Sequence, residues 1–215
     1  MHRPLSLAIL VSLGVAAQAQ TPPSADAILA KLATCEQISA GKFATDEGRP
    51  RRIPVCRHGI AVHWKADLDV DCDGVRTATC NRSTDPSFQP DTALHTASGQ
   101  PLDAAAVPYI VLPQPSGTWN FRNAGIRLGA CAAAIFNGRV VYGVFGDTGP
   151  KTIIGEASHA MAKALGINPD PRNGGLEEIA VTYVVFPGTR VSQVDSPDAA
   201  RACGETHMQR LVSGG

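Results

Sequence analysis

The chain has 215 residues, enough for one compact domain with little room for a second independent core. Lys and Arg together number 19 and Asp and Glu 19, so no charge excess draws the chain to nucleic acid or an anionic membrane. Apolar residues at 44% against 18% charged exclude wholesale disorder, and 21 Gly with 16 Pro predict many turns and short strands rather than a helix bundle.

Residues 1–19 read as a secretory signal peptide. Arg3 gives a basic start, Leu5 to Ala17 is an uncharged apolar run, and Ala17-Gln18-Ala19 places small residues at the −3 and −1 positions. The run is too short to span a bilayer. The expected mature chain is one domain over 20–215, beginning at Gln20 and exported to the periplasm or the medium. Cys35, Cys56, Cys72, Cys80, Cys131 and Cys203 all fall inside it, where an oxidising compartment favours disulfides. Six cysteines allow fifteen pairings. The preferred set is Cys72–Cys80 as a local staple, Cys35–Cys56 tying down the first helix, and Cys131–Cys203 anchoring the tail.

Past a Pro-rich leader, Ser24 has the character of a helix N-cap, with Ile28, Leu29, Leu32 and Cys35 spaced along one helical face. Gly41 to Pro54 is polar and basic and reads as an exposed connection. Ile60 to Trp64 and Leu68 to Val70 predict short strands, Asp71 to Ser87 is rich in turn residues, and Tyr109 to Leu112 predicts a buried strand. Two apolar runs flank Asn137-Gly138 as a hairpin, Asp147-Thr148-Gly149-Pro150 is expected to break the second strand, and a helix is predicted over Ala157 to Leu165 with Gly166 closing it. Ile179 to Phe186 predicts the last strand. The expected fold is a β-rich single domain with a few short helices.

No nucleophile elbow, phosphate-binding glycine loop or H-E-x-x-H pattern is present, and the scattered histidines assign no metal or cofactor. Two acidic groups stand out. Asp67, Asp69, Asp71 and Asp73 alternate, which in an extended segment puts four carboxylates on one face, costly without a cationic partner. Asp69, Asp71, Asp73 and Gly74 also match the opening of a calcium loop, but Cys80 stands where the bidentate Glu is required. A calcium site of another shape, a wall for a polycation and a solvated acidic turn all remain open. The second group is Asp147 and Glu156, each flanked by glycine, a pairing suited to the acid and base of glycoside hydrolysis; a helix N-terminal charge is the plainer reading of Glu156.

The segments Asp69 to Gly74, Asp85-Pro86-Ser87, Pro108 to Val111, Val141 to Thr148 and Gly155-Glu156-Ala157-Ser158 together resemble glycoside hydrolase family 75, the secreted endo-chitosanases of fungi and bacteria. The resemblance runs from about Cys35 to Phe186 and includes the first four cysteines. It implies Asp147 and Glu156 as catalytic carboxylates in an inverting mechanism, with Glu156 taken as general acid and Asp147 as general base. It also makes Asp69, Asp71, Asp73 and Thr148 expected substrate contacts. Phe145 replaces the family's common Trp, and Gly149-Pro150 follows where Asn is common. A second likeness, Asp147-Thr148-Gly149-Pro150 with the helix ending at Gly166, is similar to the double-psi β-barrel of rare lipoprotein A and expansin-like domains. The expectation is therefore a disulfide-stapled, double-psi-like barrel, acting as a monomer on an amino-sugar polysaccharide, with no nucleic-acid or membrane partner. A peptidoglycan-acting glycosidase or lytic transglycosylase and a non-catalytic glycan-binding domain are the alternatives.

Overall fold

The computed structural model describes residues 21–214, so the signal peptide read in residues 1–19 lies outside the described residues. The elements in order are α1 (Ala25–Lys31), β1 (Glu36–Gln37), β2 (Cys56–His58), β3 (Ala61–Asp71), β4 (Tyr109–Pro113), β5 (Cys131–Phe136), β6 (Arg139–Gly149), β7 (Glu156–Ser158), α2 (His159–Leu165), β8 (Leu176–Val185) and α3 (Pro197–Ser213). Strands β3-β7-β4-β6-β5-β8 hydrogen-bond in that order, and β8 pairs back onto β3 to close a six-stranded barrel. Two pairings, β3 with β7 and β4 with β6, are parallel, and the rest are antiparallel. This closed mixed barrel is the β-rich single domain expected from the sequence.

Alternation along the strands divides the apolar residues into two layers. Trp64, Leu68, Ala157, Ile110, Phe145, Ala134 and Tyr183 come from all six strands and fill the barrel interior, where Trp64 and Tyr183 stack with ring centroids 5.3 Å apart. Tyr109, Val111, Ala133, Val144 and Val184 face outward and pack beneath α1, α3 and the long β3–β4 connection through Ile28, Met208, Leu211, Phe88 and Leu102. Closure leaves none of the six strands with a free edge.

Several local expectations change. The two short strands read between Ile60 and Val70 are one eleven-residue strand, β3. Strand β6 does not break at Asp147; ladder bonds to β4 carry it to Gly149. The helix read from Ala157 begins at His159, because Glu156–Ser158 is taken up as a strand between β3 and β4. The connection 41–54 is not wholly exposed: Phe43 and Ile53 bridge each other and are buried. Helix α3, the longest, follows the last strand.

The three disulfides are Cys35–Cys56, Cys72–Cys80 and Cys131–Cys203, the set preferred from sequence, and no cysteine is free among the described residues. Cys131–Cys203 fastens α3 to β5 across 72 residues. A loop of that length is constrained by about 4 kcal/mol in the unfolded chain. The double substitution Cys131→Ser with Cys203→Ser is expected to lower unfolding free energy by about that amount in non-reducing urea titrations. An unchanged midpoint would show that α3 docks without its covalent tie.

Candidate active site

The carboxylates singled out in the sequence meet on the outer face of the wall formed by β3, β7, β4 and β6. Parallel pairing sets Asp69 of β3 beside Glu156 of β7, and Asp71 beside Ser158. Because Ala157 stands opposite Ile110 in the antiparallel β7–β4 contact, Glu156 stands opposite Val111, and Val111 in turn pairs with Asp147 of β6. Asp69, Glu156, Val111 and Asp147 thus form one row across four strands.

Asp147 reaches this row through an irregularity. Ile110 pairs with Phe145 but the next residue, Val111, pairs with Asp147, so Gly146 is an extra residue in β6. Phe145 points into the barrel core; strict alternation would send Asp147 inward after it, and the bulge turns it outward instead. Only glycine fits there, since a β-carbon at 146 would stand 2.6 Å from the β-carbon of Tyr109 and 2.9 Å from Leu102.

Asp147 is buried, and its Oδ1 accepts the backbone N–H groups of Ala93 at 2.9 Å and Thr148 at 2.7 Å. Burial raises its pKa above the ordinary aspartate value, although those two N–H groups pull it back; of the pair Asp91 and His95, 2.6 Å apart, the first adds to the rise and the second opposes it. Glu156 is half-buried and accepts no hydrogen bond among the described residues. Burial first, then the charges of Asp71, Asp69, Asp73 and Asp147, hold it well above the ordinary glutamate range. Its Oε2 leans towards β6, 2.7 Å from where a β-carbon on Gly149 would stand. The two carboxyls therefore share one face of the wall, both raised by burial, with backbone N–H groups relieving Asp147 alone.

The remaining acidic residues divide by what holds them. Asp71 is buried and its Oδ1 accepts the Asp73 N–H at 2.6 Å; burial and the Asp73 charge raise its pKa, and the Tyr109 hydroxyl against it opposes that. Asp73 lies past the end of β3, accepts the Gln89 N–H at 2.6 Å, and is pushed up to about 6, chiefly by burial. Its carbonyl accepts from the Tyr109 hydroxyl at 3.1 Å. Thr148 is in register with the core residue Leu112, on the opposite face from Asp147; its tie to the row is its backbone N–H.

Sequence reasoning did not single out Ser158, Tyr109 or Asp46. Ser158 is fully buried: its Oγ accepts from the Tyr109 and Met161 N–H groups and donates to the Val107 carbonyl, joining β7, β4 and α2. Asp67 had been seen only as one of an alternating set. It is 2% exposed, and burial, followed by the charge of Asp69, pushes it up to about 8. A carboxylate oxygen of Asp46, of Asp67 and of Asp69 lie within 4.8 Å of one another. A cavity of about 840 Å³ elsewhere on the molecule, lined by Arg139, Tyr142, Lys163 and Arg201, includes none of these groups.

Comparison with known families places the chain. Residues 68–210 match the family model described as fungal chitosanase of glycosyl hydrolase group 75. The chain belongs to this family. The match begins near the end of β3, later than Cys35, and continues beyond Phe186 through most of α3. Endo-chitosanase C of Aspergillus oryzae is 37% identical over 135 residues, 61% of this chain and 33% of that protein. Endo-chitosanase B of Aspergillus oryzae is 35% identical over 129 residues, 57% of this chain and 54% of that protein. An endo-chitosanase of Aspergillus fumigatus is 31% identical over 102 residues, 45% of this chain and 43% of that protein. The chain therefore spans between a third and just over half the length of these relatives.

The buried carboxyl of Asp67 fixes a pH dependence of stability. With its folded pKa raised from 3.8 to about 8, the folded protein retains a proton that the unfolded chain releases. This contribution is present below pH 3.8 and is lost as pH rises through about 8. Asp67→Asn removes the dependence, so its melting temperature relative to wild type should rise between pH 5 and pH 8.5 by roughly 5–15 °C, on the order expected for about 2.5–4 kcal/mol in a chain this size. Calorimetry at constant ionic strength reads the difference; a gap independent of pH would mean that Asp67 does not titrate in that window.

Proposed function

We propose that this protein is an exported, inverting glycoside hydrolase of the chitosanase type, with Glu156 as general acid and Asp147 as general base. The observation that carries the reading is the row Glu156–Val111–Asp147. One intervening strand separates the two carboxylates by two strand spacings, about 10 Å of backbone. Glu156 leans across that gap. The arrangement suits the roughly 6.5–9.5 Å carboxyl separation of inverting glycosidases better than the about 5 Å of retaining ones.

The electrostatic settings support the roles. Glu156, without hydrogen-bond donors among the described residues and surrounded by negative charge, is suited to keep its proton and deliver it to the leaving glycosidic oxygen. Asp147 is supplied with two backbone N–H groups on Oδ1, which favour its ionised form and leave Oδ2 to take a proton from the attacking water. Asp69, which stands in the same row, suits the ammonium groups of a glucosamine polymer, while Asp71 and Asp73 shape the wall beside it. The relatives' shared name, endo-chitosanase, favours that polymer over chitin or peptidoglycan. Export to an oxidising compartment is supported by the three disulfides, and the proposed mature form is a monomer beginning at residue 20. No helix among the described residues is long and apolar enough to cross a membrane.

Reducing-end release from chitosan, chitin and peptidoglycan sacculi tests the substrate, with chitosan expected to be cleaved. Asp147→Asn and Glu156→Gln should each lose at least about 100-fold in kcat, while near-normal turnover in either would remove that residue from the mechanism. Proton NMR of a glucosamine oligomer during the first turnovers should show the α-anomer. Initial β-anomer would mean retention and would undo the assigned roles.

A further inference from the structure

We infer that Asp46, Asp67 and Asp69 form a subsite for the ammonium group of one glucosamine unit, set beside Glu156 and selecting a deacetylated sugar at that position. This rests on the proposed chitosan substrate and extends it to two residues, Asp46 and Asp67, that lie outside the matched segment 68–210.

The placement follows from the topology. Asp69 is the in-register neighbour of Glu156 on β3, one strand farther from Asp147. Asp67 precedes it by two residues, and Asp46 comes from the 43–53 loop, which Ala44 joins to Ile153 just ahead of β7. The three carboxylate oxygens lie within 4.8 Å of one another, so a cation centred among them would sit no more than about 2.8 Å from each, the span of a charge-assisted N–H···O bond. An ammonium has three such donors to offer.

The molecule leaves that demand unmet. Asp67 is 98% buried by its 2% exposure, and its Oδ1 has no hydrogen-bond partner. No Lys, Arg or His side chain forms an ion pair with Asp67 or Asp69 among the described residues, and Asp46 has the exposed Arg49 at 3.8 Å and the Thr45 hydroxyl at 3.0 Å, both on Oδ2. Asp69, like Asp67, is raised by burial first, to about 6, with the charges of Asp46 and Glu177 adding to the shift. An incoming ammonium supplies the missing charge and donors together. Bound ammonium lets Asp67 release its proton to solvent and pair as a carboxylate, whereas an N-acetylated sugar brings a neutral acetamide with one N–H and leaves the cluster short of donors and of positive charge. Sites built to hydrogen-bond a substrate group reject analogues that lack it.

The test measures binding separately from turnover. In a Glu156→Gln background, titration calorimetry compares a glucosamine hexamer with an N-acetylglucosamine hexamer, with and without Asp46→Asn or Asp67→Asn. The expected result is a loss of about tenfold or more in affinity for the glucosamine hexamer only. Equal losses for both oligomers, or none, would overturn the subsite. Asp46 is half-buried in a loop, so Asp46→Asn keeps the test decisive if Asp67→Asn fails to fold. Calcium chloride alone is titrated against wild type in a thermal-shift arm. Stabilisation abolished by Asp67→Asn would make this a divalent-cation site and also overturn the ammonium assignment. Hydrolysis of chitosan by the wild type is scored independently: cleavage with unselective binding sinks the subsite alone, and selective binding without cleavage sinks the hydrolase reading alone.

Discussion

Phe145 fills the barrel core and Asp147, two residues later on the same strand, stands on the outer wall. An alternating strand cannot do both, so a residue must be inserted between them, and Gly146 is that residue. Its carbonyl is not wasted, since it accepts the Leu94 N–H at 2.9 Å and so draws the β3–β4 connection over the bulge. Ala93, the next residue back, then delivers its N–H to Asp147. One inserted glycine therefore fixes which side of the wall the carboxylate occupies, which segment covers it and what stabilises its charge.

Six carboxylates, Asp67, Asp69, Asp71, Asp73, Asp147 and Glu156, crowd a wall that offers no arginine or lysine ion pair to any of them among the described residues. The charge is managed by unequal hydrogen bonding instead. Asp147, Asp71 and Asp73 receive backbone N–H groups, each worth more to a carboxylate than to a neutral acid. Glu156 and Asp67 receive no hydrogen bond from another residue, and both are driven towards the protonated form, as is Asp71, whose complete burial outweighs its one N–H donor. The division matters for chemistry, because acid–base catalysis by two carboxyls requires environments that push their pKa values apart. Folding tolerates the cost because the surrounding shell is covalently stapled: Cys72–Cys80 closes the loop directly after Asp71, and Cys35–Cys56 fastens the strand that precedes β3.

Much of this was legible in the sequence where a local signal existed. The Asn137-Gly138 hairpin, the Ser24 cap, the Gly166 stop and the buried run at Tyr109 depend on turn chemistry and apolar continuity, and each falls where the sequence puts it. Residues Asp147 and Glu156 stand out through their flanking glycines, although the reason for one of those glycines, the bulge at 146, is a tertiary fact. Three other features left no local trace. Glu156–Ser158 reads as the first turn of a helix because three residues cannot display a strand period; only pairing with β3 and β4 on either side makes them a strand. Helix α3 buries Ala200, Gly204, Met208 and Leu211, a face so poor in large apolar side chains that its period is faint. Asp46 sits in a polar basic stretch and acquires meaning only when its loop folds back against β3.

The hydrogen-bond ladder also limits how the carboxyl pair can vary. Strands in a sheet stand about 4.8 Å apart, so residues in one row are separated by whole multiples of that spacing. Glu156 and Asp147 are two spacings apart because β4 lies between β7 and β6, with Val111 as the floor of the gap. Side-chain rotation can shorten that separation, as the lean of Glu156 over Gly149 does, but cannot supply the missing half. Asp69 and Glu156, by contrast, are one spacing apart, close enough for the Asp69 charge to help raise the pKa of Glu156. The barrel thus places Asp69 where it can tune Glu156, and holds Asp147 a full strand farther away. Exchanging those two separations would require a different strand order and not merely different side chains.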